Sequence, residues 1–247
     1  MKKVILASLL LVPHLALADE TAAHWSYMGE TGPEHWAEIA PEDMTCKTGK
    51  HQSPIDLART DAVGGLSFTS DYHPVPMRIW NNGHTIQLDA KNAGKMIEDG
   101  KDYALLQVHF HDPSEHALNG KSYPLEVHFV HKSDDGVLAV LGVFVEEGAE
   151  NSELAKIISH IPAKPGEPQP VEGLDFEPSA LLPENLATYR YSGSLTTPPC
   201  TEGVAWHILK SPITASPDQI KALADAMGTN NRPLQAVNGR LVVHPAP

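Results

Sequence analysis

The sequence predicts a large, mainly β domain of the α+β class, and three features of the chain predict it. Stretches rich in β-branched and aromatic residues recur, turn dipeptides separate them, and only two segments carry helix signals. In chain order the strand-like stretches are residues 75–80, 85–88, 103–111, 125–131, 137–145 and 204–209. Asp99-Gly100 and Asp135-Gly136 signal hairpins, because tight hairpin turns need the left-handed backbone that Asp, Asn and Gly tolerate. Asn82-Gly83 has the same chemistry and is expected as a turn or bend. Residues 152–160 are a modest helix candidate. A better one combines Ser216 as N-cap, Pro217 at the first helical position, residues 219–227 as body and Gly228 as terminator. The Pro-rich run 161–170 is the best candidate domain boundary, yet its flanks read as one fold, and no internal repeat is present.

Composition narrows the function classes. The 247 residues carry a formal net charge of −13, which argues against a nucleic-acid partner. Met1-Lys2-Lys3, an apolar run from Val4 to Leu17 and Ala16-Leu17-Ala18 together read as a secretory signal peptide cut after Ala18. A membrane anchor is disfavoured: Pro13 and His14 interrupt the run, which is short for a span of ~20 residues. No later stretch is apolar enough to span a membrane. The expectation is a leader over residues 1–18 and a single domain over 19–247, of 229 residues and net charge −15 once Lys2 and Lys3 are lost. The location expected is periplasmic or secreted. Outside the cytosol, the two cysteines, Cys46 and Cys200, suggest one disulfide rather than two free thiols.

His109, His111 and His128 carry the chemistry. Residues two apart on a strand share a face, so His109 and His111 present two imidazoles side by side. A neighbouring strand can add His128. Three neutral imidazoles with an open fourth position suit a catalytic zinc. Among 14 histidines a bare His-x-His is more often structural, but the flanks change the balance. Gln107 lies two before His109 and Glu126 two before His128, each on its histidine's face. A ligating imidazole usually gives its other N–H to such an oxygen.

Those stretches resemble the α-class carbonic anhydrases. The resemblance rests on Gln107-Val108-His109-Phe110-His111, Ser114-Glu115-His116, Glu126-Val127-His128-Phe129-Val130-His131 and Gly193-Ser194-Leu195-Thr196-Thr197-Pro198-Pro199. Gly32-Pro33-Glu34-His35-Trp36, Gln52-Ser53-Pro54-Ile55, Asn82-Gly83-His84 and Asn231-Arg232-Pro233 join them, in family order from about Trp25 to Pro233. The resemblance implies a twisted, mostly antiparallel sheet of about ten strands with a few peripheral helices. It implies a zinc lyase that hydrates CO₂ by attack of zinc-bound hydroxide. Zinc lowers the pKa of its bound water from ~15.7 to about 7, a value established on carbonic anhydrases themselves. The resemblance also supports the Cys46–Cys200 bond.

The remaining roles follow from the same resemblance. Thr196 would accept a hydrogen bond from the hydroxide while giving its own proton to Glu115, and Thr197 would contact bicarbonate. Val130, Val140, Leu195, Val204 and Trp206 match the wall against which CO₂ docks. His84 matches the proton shuttle, with an unperturbed pKa of ~6.5 that suits the task. Tyr27, Asn82 and Gln87 match positions that order the intervening waters; Gln87 stands where animal members have asparagine. His111 is expected to donate to a backbone carbonyl near Asn230, and His116 to bond in the core beside Glu115. Expected partners are CO₂, bicarbonate, water, small-anion and sulfonamide inhibitors, with no nucleic acid and no membrane span, in a monomer or homodimer. A metal-free binding relative and a zinc-storage protein are the rivals. The intact histidine trio opposes the first, and the lack of a His-rich tract opposes the second.

Overall fold

The computed structural model describes residues 24–58, 62–64 and 68–245, so the expected leader lies outside the described residues. Among the described residues thirteen strands form one sheet. They are β1 (Ala62–Gly64), β2 (Phe68–Ser70), β3 (Val75–Asn81), β4 (Ile86–Asp89), β5 (Lys95–Glu98), β6 (Lys101–His111) and β7 (Leu125–Lys132). They continue as β8 (Leu138–Glu147), β9 (Gln169–Phe176), β10 (Thr188–Ser194), β11 (Glu202–Leu209), β12 (Ile213–Ala215) and β13 (Val243–Pro245). Ten of them run in the order β1-β13-β10-β11-β8-β7-β6-β4-β3-β9, which meets the expectation of about ten. β8 pairs in parallel with β11 and β12, and β1 with β13; the other pairings are antiparallel.

The turn signals do their expected work. Asp99 and Gly100, at φ 49° and 81°, join β5 to β6, and Gly83, at φ 87°, lies between β3 and β4. The Pro-rich run is not a boundary: it leads into β9, which pairs with β3 at the sheet edge. Among the described residues four α-helices flank the sheet, α1 (Trp36–Ile39), α2 (Thr45–Thr48), α3 (Ser152–Ile158) and α4 (Pro217–Met227). α4 starts with the Ser216–Gln219 capping box and Pro217, and stops at Gly228. α3 is capped by Asn151, whose Oδ1 accepts from the backbone of Glu153 and Leu154.

Alternation along the central strands sorts the side chains. Val108, Phe110, Val127, Phe129, Leu141 and Val143 join the main core with Leu154, Ile157 and Leu223 of the helices. Val140, Val204, Trp206 and Tyr191 belong to a second apolar cluster, against which Val130 and Leu195 pack. The histidine trio lies on that second side.

Candidate active site

Strand register brings the three histidines together. His109 on β6 is directly paired with His128 on β7, with Gln87 of β4 on one flank and Gly142 of β8 on the other. His111 follows two residues along β6. The candidate ligand nitrogens of His109, His111 and His128 all lie within 4.8 Å of one another.

Each ring has one nitrogen committed outward. Nδ1 of His109 lies 2.8 Å from Oε1 of Gln107. His111 Nδ1 donates to the carbonyl of Asn230 at 2.8 Å. His128 Nε2 lies 2.9 Å from Oε1 of Glu126. Nε2 of His109, Nε2 of His111 and Nδ1 of His128 are left for the interior of the site. Nε2 of His111 is buried with no hydrogen-bond partner, an orphan that a metal would satisfy. Burial, then the charges of His111 and His128, hold the pKa of His109 well below its usual value, and burial lowers that of His111. Neutral imidazoles are what a metal binds. The donor set therefore fits zinc.

Gly142 is a site residue the sequence reading missed. A Cβ there would stand 2.7 Å from Oε1 of Glu126 and 2.6 Å from Ile208 Cδ1. The sequence signal was a lone glycine inside a strand pattern, which marks close approach of a neighbour. His116 hydrogen-bonds in the core, as expected: its Nδ1 lies 2.8 Å from Glu126 and its Nε2 2.6 Å from the hydroxyl of Tyr191. Tyr191 donates to Ser53, which in turn accepts from the backbone of Ser194. A buried chain of hydrogen bonds thus runs from His128 to the residues just before Thr196. Burial alone would raise the pKa of Glu126, but His116 and His128 bring it well below the usual carboxylate range.

Glu115 and Thr196 are both buried. Glu115 Oε1 accepts from the backbone of Arg232 at 2.9 Å, while Oε2 has no hydrogen-bond partner. No hydrogen bond joins Thr196 to Glu115 among the described residues. Oε2 is turned instead toward His111 Nε2, 3.5 Å away, and His128 Nδ1, 3.9 Å away. The apolar wall is continuous: Val130 pairs with Val140, which pairs with Trp206. Val204 and Leu195 lie in the same cluster. Thr197 is half-buried on the loop after β10.

His84 stacks flat on Trp25, with ring centroids 3.6 Å apart and planes at 10°. His24 lies 4.7 Å from it and Tyr27 6.4 Å. Burial and the charge of His24 lower the pKa of His84 to about 4, so the unperturbed value does not describe this ring position. Burial, then the charge of Glu115, raises that of Tyr27 well above its usual value. Asn82 accepts from the backbone of His84 and Thr85, and donates to Gln87 at 3.2 Å. A disulfide joins Cys46 of α2 to Cys200, four residues past Thr196, with Cα atoms 5.0 Å apart.

Known proteins resemble this chain in sequence and fold. The model of the eukaryotic-type carbonic anhydrase family matches residues 31–246. A carbonic anhydrase of Pectobacterium atrosepticum is 39% identical over 238 residues, covering 96% of this chain and 97% of its own. The α-carbonic anhydrase of Thermovibrio ammonificans, solved with the inhibitor sulfanilamide, is 46% identical with a TM-score of 0.82, covering 89% of this chain and 98% of its own. That of Photobacterium profundum is 43% identical with a TM-score of 0.83, covering 90% and 100%. Agreement in sequence, fold and length across nearly the whole chain makes this protein a member of the α-carbonic anhydrase family, an enzyme of the class that hydrates carbon dioxide.

Proposed function

We propose that the chain binds one zinc ion between His109, His111 and His128 and catalyses the reversible hydration of CO₂ to bicarbonate and a proton. The observation that carries this reading is the convergence of three imidazoles whose outer nitrogens are already committed to Gln107, Asn230 and Glu126. Bound there, zinc would supply the positive charge that makes water a nucleophile at neutral pH. Uncharged ligands leave that charge undiminished, and their outer partners fix each ring's tautomer and direction.

The chain's own residues do the rest. Thr196 accepts a hydrogen bond from the attacking oxygen and gives its own proton to Oε2 of Glu115, the buried atom that lacks a partner. With its proton committed, the hydroxyl can only accept, which orients the nucleophile and disfavours anions that have no proton to give. CO₂, small and without a dipole, docks against Val130, Val140, Leu195, Val204 and Trp206, where it displaces loosely held water. Thr197 contacts the bicarbonate. His84 exports the proton through waters ordered by Tyr27, Asn82 and Gln87. Stacked on Trp25, a ring with a pKa of about 4 holds a proton poorly at neutral pH, so its part is to relay a proton rather than to store one.

Residues 19–247 constitute the catalytic domain in this reading, after a leader over 1–18, in a periplasmic or secreted protein that is a monomer or homodimer. The leader-like composition supports that location, and no described helix is long and apolar enough to cross a membrane. Small anions and sulfonamides are expected inhibitors, supported by the sulfanilamide complex of the Thermovibrio ammonificans enzyme.

The test is stopped-flow CO₂ hydration with a zinc assay, before and after chelation. Activity should fall with zinc content and return on adding zinc. Full activity in metal-free protein would overturn the reading.

A further inference from the structure

Two sequence motifs, Gln52-Ser53-Pro54-Ile55 and Asn231-Arg232-Pro233, meet in the interior. Arg232 and Gln52 are only 2% and 4% exposed. Arg232 Nη1 donates to Oε1 of Gln52 at 2.8 Å and to the carbonyl of Ser53 at 2.9 Å. Its Nη2 donates to the carbonyl of Cys46 at 2.9 Å. Gln52 Nε2 donates to the carbonyl of Cys200 at 3.1 Å. The guanidinium also lies over the ring of Trp36, 5.5 Å from its centroid. A closed ring results: Cys46 to Cys200 through the disulfide, Cys200 to Gln52, Gln52 to Arg232, and Arg232 back to Cys46.

Both halves of the Thr196–Glu115 pair hang from this ring. The backbone N–H of Arg232 donates to Oε1 of Glu115 at 2.9 Å. On the other side, Cys200 N–H donates to the carbonyl of Thr197 at 2.8 Å, within the loop that carries Thr196 and that Leu195 N–H closes on the carbonyl of Thr201 at 2.9 Å. Any residue but proline at 232 would supply that backbone N–H. Only a planar, forked cation can hold Gln52, Ser53 and Cys46 at once and so fix where the N–H points.

We propose that Arg232, together with Gln52, is a positioning residue for catalysis: through the disulfide ring it sets the distance between Glu115 and the Thr196 loop. The proposal rests on the reading of Thr196 and Glu115 given above. Lysine at 232 keeps the charge and loses the fork. An oxygen misplaced by a fraction of an ångström weakens an orienting hydrogen bond without emptying the metal site. Replacing an outer partner of this kind commonly costs roughly 10–100-fold in activity.

The experiment is a double-mutant cycle on zinc-loaded protein: parent, Arg232→Lys, Thr196→Val and the double variant. Zinc content and thermal midpoint are recorded for each. Binding of thiocyanate, which has no proton to give, and bisulfide, which has one, is measured by calorimetry. Arg232→Lys should lower kcat about tenfold with KM and zinc content kept. It should favour thiocyanate over bisulfide relative to the parent. In the Thr196→Val background it should cost almost nothing further. Gln52→Leu should do the same, and it replaces Arg232→Lys if that variant does not fold. An undiminished loss in the Thr196→Val background, or an unchanged thiocyanate-to-bisulfide ratio, overturns the positioning role while leaving the role of Thr196 standing. Parent-like turnover in Thr196→Val overturns both.

Discussion

The two nitrogens of His128 have separate tasks: Nε2 is held by Glu126 at 2.9 Å, and Nδ1 faces the candidate metal. His128→Ala removes a ligand and leaves Glu126 and His116 facing a void. Zinc content and CO₂ hydration are expected to fall together, and a variant that keeps one without the other contradicts the ligand assignment. Thr196→Val keeps nearly the same shape and loses the acceptor. Turnover should drop roughly a hundredfold, the scale of one lost orienting hydrogen bond, with zinc retained. Unchanged turnover and anion inhibition would remove Thr196 from the scheme. His84→Ala should spare interconversion of CO₂ and bicarbonate and slow proton release, so the loss appears in dilute buffer and imidazole restores the rate. A rate equal to the parent's in dilute buffer would return His84 to an ordinary turn histidine.

β8 sets the spacing of the site by what it omits. At Gly142 the strand passes behind His128 with no side chain, and the carboxylate of Glu126 occupies the space. Gly142→Ala forces Glu126 or Ile208 to move. The expected result is a loss of about 1–3 kcal/mol of stability from overpacking together with weaker zinc retention. Urea unfolding and zinc competition measure the two effects, and parent-like values in both would show that the neighbours relax freely. The disulfide works at the same scale, joining α2 to the loop after β10 across 154 residues. In the chain-entropy account it contributes roughly 4–5 kcal/mol.

Across the whole molecule, buried histidines make the fold acid-sensitive. His131 is fully buried, its Nε2 is 2.6 Å from the Tyr72 hydroxyl, and burial, then the charge of His207, lowers its pKa to about 3. The unfolded chain takes up a proton near pH ~6.5 that the folded chain refuses. Stability therefore rises with pH and is lost progressively as pH falls from about 6.5 toward 3. Glu126, held well below its usual range, adds its loss only below about pH 4.5, in the carboxylate range. Urea midpoints at pH 7 and pH 5, with chelator present, should differ clearly for the parent and less for His131→Gln. Equal slopes would show that His131 is not a source of the sensitivity.

The long central strands were legible in the sequence because their alternation is local and their turns carry Gly, Asn and Asp at positions that need them. β10 was not: Thr188, Tyr189 and Tyr191 suit a strand, but the run is short and Ser192-Gly193-Ser194 breaks it, so its extent is set by pairing with β11 and β13. β9 was hidden by Pro170 and Gly173 and is tolerated at the sheet edge. The sequence by itself determined which residues could form the site: His-x-His with Gln107 and Glu126 on the same strand faces is a property of two-residue periodicity. Only the tertiary structure decided which nitrogen of each histidine turns inward, that Gly142 makes room for Glu126, that His116 serves Glu126 and Tyr191, and that Arg232 closes a ring with the disulfide. Those outcomes depend on strand register and on contacts across more than 100 residues, as between Arg232 and Glu115 or Gln52 and Cys200, which no local pattern encodes.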